Sequence, residues 1–255
     1  MTSADAHHAI YVDFECLATK PPHPALFGVL VGSGDEQFKK IITDDGLLRG
    51  EEWASALDGG KLRPMQDPSQ RDTPRGTTRS RPIPASYWLI DAVLLAGEYP
   101  GSPHRAITRE RLGNFLDAGI RTFVDLTEEI EPLEKYDRVL AELSVERALT
   151  TKHIRMCIED GGVPAYASVM TGILQTIRHE IAAGRPVYLH CWGGIGRTGT
   201  VIGCWLVESG MTGLDAIDRI AELRENTPDR FARSPETDEQ QRYICEWAPG
   251  GEHRV

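Results

Sequence analysis

The sequence predicts an α/β protein, a central and mostly parallel sheet flanked by helices, preceded by a small β-rich N-terminal segment. Three observations lead there. From residue 86 onward, short apolar runs alternate with longer stretches whose apolar residues recur at helical spacing, as in a parallel sheet with crossover helices. Before residue 60 the apolar runs are short and are divided by Pro and Gly clusters, as strands joined by turns are. One run, Pro186-Val187-Tyr188-Leu189, passes through a glycine-rich turn straight into an apolar helical stretch, Thr200 to Val207.

Residues 1–60 form the β-rich segment, with strands over 9–17, 26–31 and 38–42 and turns at Lys20 to Pro24 and at Gly32 to Asp35. Asp13 and Glu15 lie two apart, so a strand projects both carboxylates from one face. This stretch resembles the opening strand of ribonuclease-H-like exonucleases, where such a pair binds divalent metal. The resemblance covers about forty residues, and the further acidic residues of that fold are not evident, so a relic or a solvated carboxylate pair is the competing reading. Residues 61–85 follow, with five prolines interleaved with Arg63, Arg71, Arg75, Arg79 and Arg81. With almost no large apolar side chains they read as a basic linker, or as a tail that docks on acidic surface.

The α/β domain spans 86–250. Ser86 to Ile90 and Val93 to Gly97 pair as strands. Thr108 caps a helix that buries Leu112, Phe115, Leu116 and Ile120, and Gly119 ends it before the strand Arg121 to Leu126. A helix over 132–143 opens on Pro132 and buries Leu133, Leu140 and Leu143. The strand Lys152 to Ile158 delivers Glu159-Asp160-Gly161-Gly162-Val163-Pro164, and a helix over 164–183 turns Met170, Ile173, Leu174, Ile177 and Ile181 inward. The helix after residue 200 is apolar on nearly all sides and is predicted to be buried. Leu214, Ile217, Ile220 and Leu223 mark the next, and the last buries Tyr243, Ile244 and Trp247.

The net charge of the 255 residues is -10, which argues against nucleic acid as a partner. There is no apolar run of membrane-spanning length, and the N-terminus lacks the basic-then-apolar order of a signal peptide, so a soluble, cytoplasmic protein with no membrane partner is expected. The five cysteines show no paired spacing, which indicates neither a disulfide framework nor a zinc site.

The residues that carry chemistry lie in the turn His190-Cys191-Trp192-Gly193-Gly194-Ile195-Gly196-Arg197-Thr198. Three glycines allow the backbone N–H groups of Trp192, Gly193, Gly194, Ile195 and Gly196 to fold inward as an anion-binding nest, and the N-terminus of the following helix faces the same space. Arg197 closes the seat with a planar guanidinium suited to two phosphate oxygens. The same field favours a charged sulfur on Cys191, a nucleophile for phosphorus. Thr198 can hydrogen-bond that sulfur as it leaves, and His190 orients the loop.

This string, Cys191, five residues, then Arg197-Thr198, preceded by His190, resembles the signature of the cysteine-dependent protein tyrosine and dual-specificity phosphatases. Its loop is closest to that of the cyclin-dependent-kinase-associated members, and Trp88 to Pro100 is similar to the entry of bacterial dual-specificity-like enzymes. The resemblance implies a phosphatase fold and a metal-independent, cofactor-free phosphomonoester hydrolase working through a cysteinyl-phosphate. It implies that Asp160, in Asp-Gly-Gly-x-Pro, protonates the leaving oxygen, with Glu159 as runner-up, and that Gln240 positions the hydrolytic water. The uncharged positions 192–196 favour a phosphorylated protein over a polyanionic lipid head. Two other readings stay open: a phosphopeptide-binding module with little turnover, and a phosphatase for a small-molecule or lipid monophosphate. Low-molecular-weight tyrosine phosphatases and arsenate reductases carry their Cys-x5-Arg at the start of the chain, unlike this one. Rhodanese-like sulfur transferases lack counterparts of Asp160 and of Arg197 with its Thr198.

Overall fold

The computed structural model describes residues 80–248 in full, together with the backbone of the strands within 10–42 and at 252–253. In chain order the elements are β1 (Ile10–Asp13), β2 (Phe27–Ser33), β3 (Glu36–Ile42), β4 (Ser86–Ile90), β5 (Leu94–Gly97), α1 (Arg105–Asp117), β6 (Thr122–Asp125), α2 (Asp137–Glu146), β7 (Lys152–Arg155), α3 (Ala167–Ala182), β8 (Val187–His190), α4 (Gly196–Glu208), α5 (Gly213–Leu223), α6 (Asp238–Glu246), β9 (Trp247–Ala248) and β10 (Glu252–His253). The main sheet runs β1-β7-β6-β8-β5-β4. Only its β4–β5 pair is antiparallel. Five of its strands come from the predicted α/β domain. The sixth, β1, lies in the stretch read as an N-terminal segment and pairs in parallel with β7 at the sheet edge.

Period-two alternation along the strands splits the core in two. Leu94, Ala96, Val124, Val187 and Leu189 face one side, where α3, α4, α5 and α6 cover them. Leu95, Phe123 and Tyr188 face the other, beneath α1 and α2. Since both faces are covered, the strands read as nearly continuous apolar runs. Fully burying a side chain such as Phe123 contributes roughly 2–3 kcal/mol.

Several local expectations are corrected. Thr108 lies inside α1, where its hydroxyl accepts from Ser102 N (2.9 Å) and donates to Ser102 O (3.1 Å), while His104 is the N-cap. Here α2 begins at Asp137 rather than near 132, so residues 127–136 form a loop that reaches the site. In α5, Leu214 is exposed, and Ala216 and Ile220 are the buried residues. The domain also starts before residue 86: Ile83 is buried, and Arg81 Nη1 donates to Asn226 O at 2.8 Å. Residues 61–79 lie outside the described residues. Cys157, read as an unpaired thiol, is disulfide-bonded, which linear spacing does not reveal. Among the described residues no helix is long and apolar enough to cross a membrane.

Candidate active site

Parallel strands end together, and the register places Gly97, Asp125, Arg155 and His190 side by side at the carboxyl edge of β5, β6, β7 and β8. The loop after β8 leaves from that edge. Gly194 adopts φ +69°, and a Cβ there would lie 2.2 Å from the carbonyl carbon of Gly97. The loop therefore presses its backbone onto β5 in a way that glycine alone permits. Ile195 O accepts from Ser234 Oγ at 2.8 Å and from Gly199 N at 3.2 Å, which fixes the first turn of α4. Among the described residues, no protein acceptor takes the backbone N–H groups of residues 192–198. They remain available to an anion, as a nest requires.

Cys191 and Arg197, at the two ends of this loop, are both buried, and Trp192 between them is about half exposed. Arg197 is held from several sides. Nη1 donates to Glu131 Oε1 (2.5 Å) and Ile158 O (3.2 Å), Nη2 donates to Glu131 Oε2 (3.1 Å), and Nη2 also forms an ion pair with Asp160 Oδ1 at 2.8 Å. Burial alone would favour the neutral guanidine, but Glu131, a charged Cys191 sulfur and Asp160 raise the Arg197 pKa above its ordinary value. The Thr198 hydroxyl is completely buried and takes no hydrogen-bond partner among the described residues. An unpaired buried hydroxyl is costly in an apolar setting.

His190 packs against Tyr99, Tyr136 and Tyr188, with ring centroids 5.4–5.5 Å away. Its Nε2 accepts from the Tyr136 hydroxyl at 2.7 Å, and Nδ1 faces Cys191 O at 3.3 Å. Burial pushes its pKa down to about 4, against the opposing pull of Asp125. A neutral imidazole can donate from Nδ1 to the Cys191 carbonyl at the start of the loop. Under it lies Asp125, fully buried, which accepts from Thr127 N (2.9 Å), Thr127 Oγ1 (2.6 Å) and His153 Nε2 (3.1 Å). Burial would raise the Asp125 pKa, but His190, His153 and Thr127 hold it well below the usual carboxylate range.

Among the predicted site residues, Cys191, the loop 192–196, Arg197, Thr198 and His190 come together. Asp160 joins them through Arg197, although its side chain is 66% exposed rather than enclosed. Glu159 beside it is exposed. Gln240 is buried near the loop: a Cβ on Gly196 would lie 3.0 Å from both its amide atoms. That amide is already engaged, since Oε1 accepts from Glu236 N and Thr237 N, and Nε2 donates to Gly162 O at 2.9 Å. Gln240 thus caps α6 and ties it to the Asp160 loop. Asp13 ends β1, and Glu15 and both side chains lie outside the described residues. Among the described residues no cluster of His, Cys, Asp or Glu is arranged to hold a metal ion.

Sequence reasoning missed Glu131, Asp125, Tyr136, Gly97 and Ser234. Glu131 sits in the acidic run Thr127-Glu128-Glu129-Ile130-Glu131, where nothing distinguishes one carboxylate from the next until α2 is known to start late. Asp125 carried a usable signal, a charged residue ending an otherwise apolar central strand.

Residues 100–211 match the family model described as "Polymorphic toxin system, DSP-PTPase phosphatase". Over 125 residues the chain is 32% identical to a putative tyrosine phosphatase 067L of Invertebrate iridescent virus 3, covering 48% of this chain and 45% of that one. It is 28% identical over 143 residues to a phosphatidylglycerophosphatase and protein-tyrosine phosphatase 1 of Rattus norvegicus, covering 55% and 68%. A solved kinase-associated phosphatase with serine in place of its catalytic-site cysteine aligns at TM-score 0.48 and 21% identity, covering 60% of this chain and 84% of that one. The chain thus spans about half the length of the viral relative.

Proposed function

We propose that this chain is a cysteine-based dual-specificity phosphatase, a reading supported by the family model over residues 100–211 and by the viral relative, and that it hydrolyses phosphomonoesters, with phosphorylated protein as substrate, through a cysteinyl-phosphate. The observation that supports this most is the loop 192–198, whose N–H groups are unengaged among the described residues and whose two ends are Cys191 and a guanidinium fixed by Glu131. The phosphate dianion sits on those amides and on Arg197, competing with Asp160 for Nη2. The Cys191 thiolate attacks phosphorus in line, the bond from phosphorus to the carrier oxygen breaks, and Asp160 gives its proton to that oxygen. Water then attacks phosphorus, its proton passes to the Asp160 carboxylate, and the sulfur–phosphorus bond breaks. Thr198 donates a hydrogen bond to the returning thiolate. The loop amides gain most as charge builds on the phosphoryl oxygens, which makes the seat complementary to the transition state.

A phosphopeptide is favoured over a polyanionic lipid head because, among the described residues, Arg197 is the cation that closes the seat and it is already flanked by Glu131 and Asp160. Hydrolysis of p-nitrophenyl phosphate and of a phosphopeptide panel, by wild type beside Cys191→Ser, tests the reading. Cys191→Ser is expected to lower turnover by on the order of 10⁶-fold while still binding phosphopeptide, and vanadate is expected to inhibit the wild type. Turnover that survives the substitution overturns the mechanism. A wild type that binds phosphopeptide without hydrolysing it makes the chain a binding module.

A further inference from the structure

The surroundings of the phosphate seat are acidic, and one carboxylate lies against the loop itself. A Cβ built on Gly196 would be 3.3 Å from Oε2 of Glu236. The backbone of Glu236 is pinned: its N–H donates to Gln240 Oε1 at 3.1 Å, and its carbonyl accepts from Arg233 Nη2 at 2.7 Å and from Arg233 Nε at 3.0 Å. Arg233 spends its charge on Asp238, 2.7 Å away, and no cation among the described residues pairs with the Glu236 side chain. The side chain is exposed, as is that of Glu159, which likewise pairs with no cation among the described residues.

The nearby cations are engaged. Arg197 faces Glu131 and Asp160, Arg155 faces Glu129 and Asp125, and Lys135 faces Glu129. A dianion entering here gains from the loop amides and the guanidinium but is opposed by the Glu236 charge. That the seat itself is built for a ligand is supported by an independent observation, the Thr198 hydroxyl in the first turn of α4, which is buried and has no hydrogen-bond partner among the described residues. The Glu236 carboxylate then decides which carriers are tolerated. A cation carried next to the ester would offset its repulsion, and a second anion would add to it.

We propose that Glu236 selects phosphopeptides with a basic residue beside the phosphorylated one and disfavours carriers with further anionic groups. This deepens the phosphatase reading and rests on it. The half-exposed Trp192 in the same loop adds a flat face on which a guanidinium can lie.

The test uses paired phosphotyrosine peptides identical except for Arg or Glu directly after the phosphotyrosine. Wild type is expected to prefer the Arg peptide by about tenfold in kcat/KM at low ionic strength, with the preference shrinking as salt shortens the screening length. Glu236→Gln is expected to cut the ratio to about threefold or less, and Glu236→Lys to push it below one. An equal rate on both peptides by wild type, or an unchanged ratio in Glu236→Gln, overturns the proposal. Failure of the two readings is distinguishable, because p-nitrophenyl phosphate has no flanking residue. Wild type that hydrolyses it yet shows no peptide preference loses only this inference, and wild type inert toward it loses the phosphatase reading as well.

Discussion

The two ends of the central sheet carry buried charge for opposite purposes. At the amino end, where β6 and β7 begin, Glu180 of α3 is buried and fully matched. Its Oε2 accepts from Thr122 Oγ1 (2.8 Å) and Arg185 Nε (2.5 Å), and its Oε1 from Lys152 Nζ (2.8 Å). At the carboxyl end, Arg197 is crowded by Glu131 and Asp160, the Thr198 hydroxyl has no partner among the described residues, and the loop amides are left open. Matched polar groups fasten α3 to the sheet. Mismatched ones keep the other end ready for an anion, and the stability they forgo is offset by the packed core between.

Substitutions that separate the two ends sharpen this contrast, and the largest effect is on rate. Asp160→Ala is expected to slow hydrolysis of alkyl phosphates by roughly 10²–10⁴-fold, and to slow p-nitrophenyl phosphate far less, because that leaving group hardly needs a proton. Thermal unfolding should barely move, since Asp160 is mostly exposed and surface ion pairs contribute little. Equal losses on both esters would remove Asp160 from the acid role.

The reverse substitution belongs to the other end. Glu180→Gln keeps the shape but gives up the charge that Lys152 and Arg185 answer, and is expected to cost about 2–3 kcal/mol of stability with kcat unchanged. Denaturant unfolding and steady-state rates measured on the same preparation check it. A fall in kcat matching the fall in stability would mean that the two ends are not independent.

What the sequence makes legible divides along the same line. The strands, the loop with Cys191 and Arg197, and the helix behind it are set by local spacing and glycine content, and they stand where their residues predict. The partners of those groups are set by tertiary register. Glu131 reaches Arg197 only because α2 starts at Asp137, and Gly97 matters only because β5 lies next to β8. Pro132 looks like a helix opening, yet the chain there stays irregular, with Leu133 only partly buried against the α1–α2 core. Gln240 shows the same limit: its position near the loop is readable, but its use as a cap and tether is not. No linear pattern singles out Glu236, since its closeness to Gly196 arises where α6 folds back across the start of α4.

The finest division of the two ends, and the smallest change from one step to the next, is in the pH dependence of stability. His190 titrates near 4 in the folded chain against an ordinary 6.5, with burial as the main cause and Asp125, His153 and Arg155 as the charged groups around it. The unfolded chain therefore takes up that proton first, so the stability His190 contributes is intact above pH 6.5 and lost as pH falls toward 4. Glu180 titrates near 2 against an ordinary 4.5: burial would raise it, but Arg185, Lys152 and Thr122 together lower it. Its contribution is intact above pH 4.5 and lost between 4.5 and 2. Stability should thus fall in two successive windows, the site end first, each proton adding a slope of at most about 1.4 kcal/mol per pH unit. Glu180→Gln should flatten the lower window without abolishing it, since Asp125 is also held low, and should leave the upper window untouched. Denaturant midpoints taken in steps from pH 7 to pH 2 read both, and a flat profile between 6.5 and 4.5 would mean that His190 is not the neutral, buried group beside the Cys191 carbonyl.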